Sequence, residues 1–362
     1  MLIIPALLFS QSLYLNNNSV QLRQSIVDDI RLNLPDTLFC AVGIEMNVYF
    51  DNVILTNDYR DYIFKVVCDS GDHFSQRWAY TPSDGASGEF NFSLFVYNSE
   101  GDLCDADTIR VLVSPKISAG DNDILIFGDS LIDQQTLPHV VDSLTATYAT
   151  YIGTRDTGGD STANDGIGGT TWNYWENNVN SKFITDGHMD FRGYLTDNSL
   201  DDPDYVIICL GTNDCFAATE KTDSQIETAL VYADSICNNI IADVPAVKIG
   251  ILYLVPPSKE QDSFGDNYHS GYSRGIFKRS QHRYNEALKA RYGANGSKKS
   301  AHISLIPTVV NLDAEHNMKT TSHVYNARNA TTFARQSNGV HPAYDGYEQM
   351  ADAIYGWLCA KW

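Results

Sequence analysis

The sequence is poor in basic residues. Its 362 residues include 25 lysines and arginines against 45 aspartates and glutamates, so the formal net charge is -20. Proteins that bind nucleic acid neutralise phosphates with Lys and Arg, and anionic membrane surfaces attract the same side chains. The composition therefore argues against both partners. It fits a soluble protein that acts on neutral or weakly charged substrates, without choosing among them.

Long hydrophobic runs are absent too. The apolar stretch MLIIPALLFS at residues 1–10 is too short to span a bilayer, and no other stretch is a transmembrane candidate. We therefore expect no membrane insertion. Residues 1–20 are interpreted as an N-terminal apolar segment that is either a signal peptide or a strand. The basic n-region of a signal peptide is missing, which favours a strand or a mobile end.

Metal-binding and disulfide patterns are missing from the seven cysteines. No two of them have the C-x-x-C spacing or another spacing typical of a metal site, so no zinc site is expected. An odd number of cysteines gives no disulfide framework. The cysteines therefore do not assign the chain to an oxidising or a reducing compartment.

What the sequence does contain is enough apolar material for a sizeable core, with 43% hydrophobic and 19% charged residues. The length favours two domains. Residues 21–115 carry short runs in which apolar and polar residues alternate, the pattern of half-buried strands, with turn clusters between them. This pattern predicts an all-β sandwich of immunoglobulin type, with strands at 38–44, 46–50, 62–68, 78–81, 89–97 and 108–113.

The pattern changes after a linker at residues 116–122. From residue 123 to 362, apolar strands alternate with helix-length segments, which is typical of a parallel α/β sheet. The predicted strands are 123–127, 149–153, 205–210, 248–255 and 304–307. The predicted helices are 137–147, 223–243, 277–292 and 344–358.

The first of these strands ends in a serine. The run ILIF at residues 124–127 leads directly into Gly128-Asp129-Ser130. In open α/β sheets, ligands bind outside the carboxyl ends of the strands. Ser130 is therefore a candidate nucleophile, although Gly-Asp-Ser is also ordinary turn chemistry. The remaining motifs decide between these two interpretations.

Three further stretches carry residues suited to the same chemistry. NDGIGGTTW at residues 164–172 has glycines that let backbone N–H groups approach a ligand. VIICLGTND at residues 206–214 is a buried strand followed by Asn213, whose amide can donate to a developing oxyanion. NGVHP at residues 338–342 places His341 before a proline, and therefore in an extended loop.

Together these four blocks resemble the SGNH (GDSL-type) hydrolase family. GDSL, GIGGTTW, GTND and VHP occur in family order at family-like spacing, and the resemblance covers the chain from about residue 121 to its end. It implies a three-layer α/β/α flavodoxin-like domain at residues 123–362, preceded by the all-β sandwich. The sandwich is similar, more loosely, to a domain that precedes such hydrolase domains in some bacterial and phage proteins.

The resemblance implies roles for individual residues. Ser130 matches the nucleophile, and His341 matches the general base that takes its proton. The oxyanion hole would consist of the Ser130 and Gly169 backbone N–H groups and the Asn213 side chain. Gly168 is the alternative glycine if the loop is offset by one residue. No metal or organic cofactor is implied.

One position departs from the family pattern. The acid that orients the histidine normally lies three residues before it, where this chain has Asn338. An asparagine oxygen accepts the histidine Nδ1–H and fixes the tautomer, but it lacks the charge that stabilises an imidazolium. One interpretation is a Ser–His dyad oriented by Asn338 or a backbone carbonyl. The others are a domain of little activity that serves binding, and a substitute acid: Asp345, Asp313 or Glu315.

Aromatic and polar side chains near the blocks bear on the substrate. Trp172 and Trp175 follow the glycine loop and are candidates for substrate binding, with core packing as the alternative. Two polar, aromatic-rich insertions, 256–275 and 316–338, favour a carbohydrate over a long lipid chain. Four cations are candidates to contact an acid group on a substrate, with solvated surface charge as the simpler interpretation: Arg274, Lys278, Arg328 and Arg335.

The sequence therefore predicts a serine esterase that removes ester groups, in particular O-acetyl groups on carbohydrate, through a Ser130 acyl-enzyme. The alternative is a weakly active or inactive glycan-binding or attachment protein of a bacterial surface or a phage particle. The expected location is secreted, cell-surface or periplasmic in a bacterium, or associated with a phage.

Overall fold

The computed structural model describes residues 11–16, 19–24, 30–56, 58–156 and 161–362. The prediction for the apolar stretch at residues 1–10 lies outside the described residues. The first described elements are two strands, β1 (Gln11–Asn16) and β2 (Ser19–Gln24), which pair antiparallel with each other.

The next part of the chain forms two sheets. A four-stranded sheet has the order β3-β9-β8-β5, and a three-stranded sheet has the order β4-β7-β6. The strands are β3 (Thr37–Ala41), β4 (Met46–Tyr49), β5 (Ile63–Cys68), β6 (Asp72–His73), β7 (Arg77–Tyr80), β8 (Gly88–Tyr97) and β9 (Leu103–Ser114). A short helix, α1 (Phe50–Val53), follows β4, so the predicted strand 46–50 ends one residue early.

Apolar and polar residues alternate along these strands, and the apolar side chains pack between the two sheets. Phe92, Leu94 and Val96 of β8 are fully buried. The Trp78 ring of β7 lies 5.0 Å from the Phe92 ring, which joins one sheet to the other. The strands expected from the pattern are therefore present. Their immunoglobulin type and the boundaries at 21–115 and 116–122 stay predictions.

The second part of the chain is built on a parallel sheet. Its strand order is β11-β10-β15-β16-β17, and a short strand β12 also pairs with β10. The strands are β10 (Asn122–Gly128), β11 (Ala149–Ile152), β12 (Asp165–Gly166), β15 (Tyr205–Cys209), β16 (Lys248–Leu252) and β17 (Ile303–Ile306). A small hairpin, β13 (Ile184–Thr185) with β14 (His188–Met189), lies between β12 and β15 in the chain.

This strand order places the opening motif at a topological switch point. Numbered within the sheet, the order is second, first, third, fourth, fifth, which is the flavodoxin-like arrangement. Strand β11, the next in the chain, pairs with one edge of β10, and β15 pairs with the other edge. Residues 124–127 are fully buried, as expected for the central strand of a sheet covered on both faces. At Gly128 a side chain would press against the Cys209 carbonyl of β15, so the strand needs glycine there.

Helices cover the sheet in two groups. α3 contacts α11, whereas α4, α5 and α9 contact α7. Their bounds, with the remaining short helices, are α2 (Ser130–Asp133), α3 (Thr136–Thr145), α4 (Trp172–Asn177), α5 (Phe191–Asp197), α6 (Thr212–Cys215), α7 (Asp223–Asp243), α8 (Gln261–Tyr268), α9 (Arg274–Tyr292), α10 (Thr308–Asn311) and α11 (Tyr344–Lys361). Within the described ranges, no helix is both long and apolar enough to cross a membrane.

The two parts of the chain pack directly on each other. Helix α11 lies against β3, and a side chain at Gly356 would press on the Phe39 carbonyl. The Asn52 amide of α1 donates to the Val309 and Leu312 carbonyls at 2.9 and 2.8 Å. The N-terminal sheets are thus bound to the α/β part by buried polar contacts as well as by apolar packing.

The two insertions at residues 256–275 and 316–338 contain regular structure, which the sequence patterns do not predict. Residues 256–275 contain α8. Residues 316–338 contain an antiparallel hairpin, β18 (Thr320–Asn326) with β19 (Asn329–Gln336). Most residues of the hairpin are exposed, so its sequence shows little of the alternation that a half-buried strand would show.

Candidate active site

Ser130 is the first residue of α2, directly after the central strand β10. The Asp129 side chain caps this short helix by accepting from the Leu131 N–H at 3.0 Å. Asp129 is fully buried, and burial raises the pKa of its carboxyl to about 7. The turn therefore holds the Ser130 hydroxyl at the carboxyl edge of the sheet, at the topological switch point.

His341 lies within hydrogen-bond distance of Ser130. His341 Nε2 is 2.8 Å from Ser130 Oγ, and His341 Nδ1 is 3.2 Å from Asn338 Oδ1. The same Asn338 oxygen accepts from the Val340 and His341 backbone N–H groups at 3.1 and 2.9 Å. These contacts orient the asparagine oxygen toward the imidazole, so that Nδ1 carries the proton and Nε2 is free to accept one.

The other candidate acids are occupied elsewhere or exposed. Asp313 Oδ2 pairs with His316 Nδ1 at 2.9 Å, and Glu315 pairs with Arg60 at 3.3 Å. Asp345 is exposed in the first turn of α11. Among the described residues, the only side chain hydrogen-bonded to His341 Nδ1 is Asn338. The geometry therefore favours the dyad oriented by Asn338 over a substitute acid.

The environment of His341 keeps the imidazole neutral. Burial, and after it the positive charge of Lys319, lowers the pKa of His341 to about 4. A histidine acts as a base only in its neutral form, so His341 is competent at any pH above that value. The same low pKa makes it a weak base, because burial and the charge of Lys319 both disfavour the imidazolium that forms when it takes a proton.

The glycine loop contains the two candidate backbone donors to the oxyanion, the Gly168 and Gly169 N–H groups, and they differ in their hydrogen bonds. The Gly168 N–H donates to Asp133 Oδ2 at 3.2 Å, so it is occupied. Gly169 has a φ of +79°, which favours glycine, and the space beside its Cα is open. Among the described residues the Gly169 N–H has no hydrogen-bond partner. The geometry therefore favours Gly169 over Gly168 as the donor.

Asn213 is brought to the same edge by α6, after strand β15. Its Nδ2 donates to the Thr170 carbonyl at 2.9 Å and lies 3.4 Å from Asp129 Oδ2. The first contact ties Asn213 to the glycine loop. The second is long for a hydrogen bond, so the amide hydrogen that faces Asp129 is the one available to an oxyanion.

The structure corrects the substrate-binding prediction for Trp172 and Trp175. Both indoles are fully buried. Trp172 Nε1 donates to the Tyr284 hydroxyl at 2.6 Å, and Trp175 Nε1 donates to Thr170 Oγ1 at 3.1 Å. The core-packing alternative therefore describes these two residues. Trp175 supports the site indirectly, because Thr170 is the residue whose carbonyl holds Asn213.

Most of the cations considered for substrate contact are already paired. Arg274 and Lys278 both lie on Asp51, and Arg335 pairs with Asp266 at 3.0 Å. Only Arg328, at the exposed turn of the β18–β19 hairpin, remains a solvated surface residue of the kind expected. These contacts make structural roles the better description of Arg274, Lys278 and Arg335.

Three residues near the site were not singled out from the sequence. The Tyr268 hydroxyl donates to Asn338 Oδ1 at 3.3 Å. Asp133 pairs with Arg155 and holds Gly168. Lys319 Nζ donates to Gln134 Oε1 at 3.0 Å. Asp133 could have been found, since it lies one helical turn after Ser130, whereas nothing local points to Tyr268 or Lys319.

The described residues contain no group of three His, Cys, Asp or Glu side chains placed to hold a metal ion. The site combines a doubly wound parallel sheet with a serine and a histidine in contact at its switch point. That combination is the construction of a serine hydrolase. The chain belongs to the GDSL-like lipase/acylhydrolase family, whose sequence model matches residues 124–354.

The solved structures to which this chain is similar include two esterases. A carbohydrate esterase family 3 protein from Talaromyces cellulolyticus is 14% identical, with a TM-score of 0.41 over 66% of this chain and 97% of that one. A carbohydrate acetylesterase from Sinorhizobium meliloti is 13% identical, with a TM-score of 0.38 over 67% of this chain and 100% of that one. No curated protein matches the sequence.

Proposed function

We propose that this protein is a serine esterase that removes short acyl groups, in particular O-acetyl groups, from carbohydrate through a Ser130 acyl-enzyme. The observation that carries the proposal is the 2.8 Å contact between Ser130 Oγ and His341 Nε2, with His341 Nδ1 held by Asn338. A serine hydroxyl needs such a base to become an effective nucleophile.

The reaction follows from these contacts. Ser130 Oγ attacks the ester carbonyl while His341 Nε2 takes its proton, and the oxyanion accepts hydrogen bonds from the Ser130 and Gly169 N–H groups and Asn213 Nδ2. The intermediate collapses, and the alcohol leaves with the proton from His341. A water molecule then attacks the acyl-enzyme while His341 takes its proton, and the bond to Ser130 Oγ breaks as His341 returns that proton to Oγ, which releases the acid.

An aromatic group beside the dyad supports a carbohydrate substrate. It consists of Phe216, Tyr268 and Tyr272, which are half-buried, and the Phe216 ring is 4.6 Å from Tyr268 and stacked 4.9 Å from Tyr272. Phe216 follows the helix that carries Asn213, and Tyr268 contacts Asn338. Together with the polar Lys319 and Gln134, these side chains suit a polar ring better than a long alkyl chain.

The substrate class is tested by a chain-length series. We expect kcat/KM to be highest for p-nitrophenyl acetate, lower for the butyrate and lowest for the octanoate, and we expect acetate release from acetylated xylo-oligosaccharides. The measurement uses the Ser130→Ala variant as the blank. Fastest hydrolysis of the octanoate would overturn the assignment of acetyl groups. Glycan binding without hydrolysis of any ester would favour the attachment-protein alternative.

Replacing Asn338 by aspartate is expected to raise activity and to move its pH dependence. A carboxylate facing Nδ1 stabilises the imidazolium, so the pKa of His341 rises from about 4 toward its ordinary range. Because the neutral form is the active one, the fall of kcat/KM on the acid side moves to higher pH. The stronger base raises kcat at neutral pH by about tenfold or more.

The measurement is the pH profile of kcat/KM for wild type and Asn338→Asp. The charge-matched control is Asn326→Asp at the exposed hairpin turn, which adds the same charge away from His341 and should leave the profile in place. If the acid-side fall and kcat are the same in Asn338→Asp and wild type, Asn338 is not the residue that orients His341.

A further inference from the structure

One carboxylate of the N-terminal part of the chain, that of Asp51, faces three cations of the α/β part. Asp51 lies in α1, and its side chain is 14% exposed. Its oxygens are 2.6 Å from Lys278 Nζ, 2.7 Å from Lys259 Nζ and 3.2 Å from Arg274 Nη2. The cationic side chains are themselves 5%, 19% and 15% exposed. The group is therefore partly buried and carries an excess of positive charge that Asp51 alone offsets within it.

The same cations lie next to the chain that supports the histidine loop. Arg274 Nε donates to the Ser258 carbonyl at 2.9 Å, and Lys259 is the next residue. The Ser258 N–H in turn donates to the Gly339 carbonyl at 2.9 Å. Gly339 sits between Asn338 and His341. A continuous line of contacts therefore runs from Asp51 through Arg274 and Ser258 to the loop that carries the base.

Because Asp51 and the three cations are largely buried, the charge of Asp51 controls where the cationic side chains lie. Screening by water is weak in this setting, so the attraction to Asp51 and the mutual repulsion of the three cations are both stronger than at the surface. The cations lower the pKa of the Asp51 carboxyl to about 2 despite its burial, so it stays ionised. Without its charge, we expect Arg274 and Lys259 to move apart, so that the Ser258 carbonyl loses its contact with Arg274 Nε.

We propose that Asp51 is a positioning residue for His341, so that the N-terminal sheets complete the catalytic site. The proposal rests on the esterase function proposed above. It gives these sheets a role in the chemistry although they contribute no group that touches the reacting atoms. It also predicts that the charge of Asp51 governs kcat more than substrate binding, because the contact line ends at the base.

Two variants test the line of contacts. Asp51→Asn keeps the shape of the side chain and removes its charge, and we expect kcat to fall by about tenfold with KM unchanged, since small misplacements of catalytic groups carry losses of this size or more. Arg274→Lys keeps the charge beside Asp51 but removes the Nε donor to Ser258. It should lower kcat with little change in unfolding temperature, and it carries the test if Asp51→Asn does not fold. Asp51→Glu should restore part of the lost kcat.

The matched control is Asp107→Asn. Asp107 of β9 pairs with Lys289 of α9 at 3.3 Å, so it joins the same two parts of the chain away from the histidine loop. It should lower the unfolding temperature and leave kcat unchanged. The proposal is overturned if Asp51→Asn and Arg274→Lys keep wild-type kcat, or if Asp107→Asn loses as much kcat as Asp51→Asn. Equal activity of wild type and Ser130→Ala would instead overturn the proposed function itself.

Discussion

Replacing Ser130 by alanine is expected to lower kcat for p-nitrophenyl acetate by about 10⁶-fold, the size of loss that removal of a serine nucleophile causes in a serine protease. The reason is that Ser130 Oγ lies 2.8 Å from His341 Nε2, so the substitution removes the hydroxyl that the base activates. The steady-state rate of p-nitrophenol release, with folding checked by circular dichroism, measures the effect.

The Ser130 prediction has a control and an internal check. Ser143→Ala removes the hydroxyl of an exposed serine of α3 that bonds only the Val140 carbonyl among the described residues, and it should keep wild-type kcat. Replacement of His341 by alanine should cost about as much as Ser130→Ala, and the double variant should cost no more than either, since the two residues act as a unit. Retained turnover in Ser130→Ala would remove it as the nucleophile.

Replacing Asn213 by alanine is expected to lower kcat by about 10²–10³-fold, the usual cost of losing one oxyanion donor. Asn213 Nδ2 is held by the Thr170 carbonyl at 2.9 Å, and its contact with Asp129 Oδ2 is longer, at 3.4 Å, so the second amide hydrogen is the one available to an oxyanion. The interaction strengthens only when the carbonyl oxygen becomes charged, so KM should change little. Separate measurement of kcat and KM tests this split.

A matched asparagine separates loss of a donor from general damage. Asn177→Ala removes an exposed amide of α4 that bonds only Asn173 among the described residues, and both kinetic constants should stay at their wild-type values. A rise in KM at unchanged kcat in Asn213→Ala would mean that Asn213 binds the ground state of the substrate. In that case it would not be an oxyanion donor.

The central sheet could be predicted because its signal is local. The run ILIF is fully buried in β10, and the alternation of apolar strands with helix-length segments gives the parallel order. Errors at helix ends have a local cause as well. Helix α9 begins at Arg274 rather than at residue 277 because Ser273 caps it by accepting from the Ile276 N–H. The residues Ser-Arg-Gly at 273–275 show no apolar periodicity that would mark the first turn of the helix.

The sequence does not show which aromatic side chains face the core and which face the active site. Trp172 and Trp175 follow the glycine loop as a substrate-binding pair would, yet both face the core, because the helix they begin turns its aromatic side inward. Tyr268 contacts Asn338, but it lies in an insertion whose short helix has no clear apolar stripe. Proximity in sequence to a catalytic block therefore does not show on which side of the chain an aromatic ring lies.

Contacts between residues that are far apart in the sequence cannot be predicted from local sequence patterns. Asn338 could be assigned to His341 because it lies three residues before it, where the resembled family has its orienting acid. Asp51 could not be assigned to Arg274 or Lys278, since the sequence around an acid does not show which distant cations the fold brings to it. Long-range pairing of this kind depends on how α11 and α9 pack on the N-terminal sheets.

Covalent trapping with a fluorophosphonate tests the central claim most directly. Such a reagent reacts with a serine only when a neighbouring base activates it, so the modified residue identifies the nucleophile. After treatment and peptide mapping by mass spectrometry, we expect a single adduct on Ser130 that disappears in the His341→Ala variant and coincides with loss of esterase activity. An adduct at another residue, or no adduct in protein that hydrolyses p-nitrophenyl acetate, would contradict the Ser130–His341 mechanism.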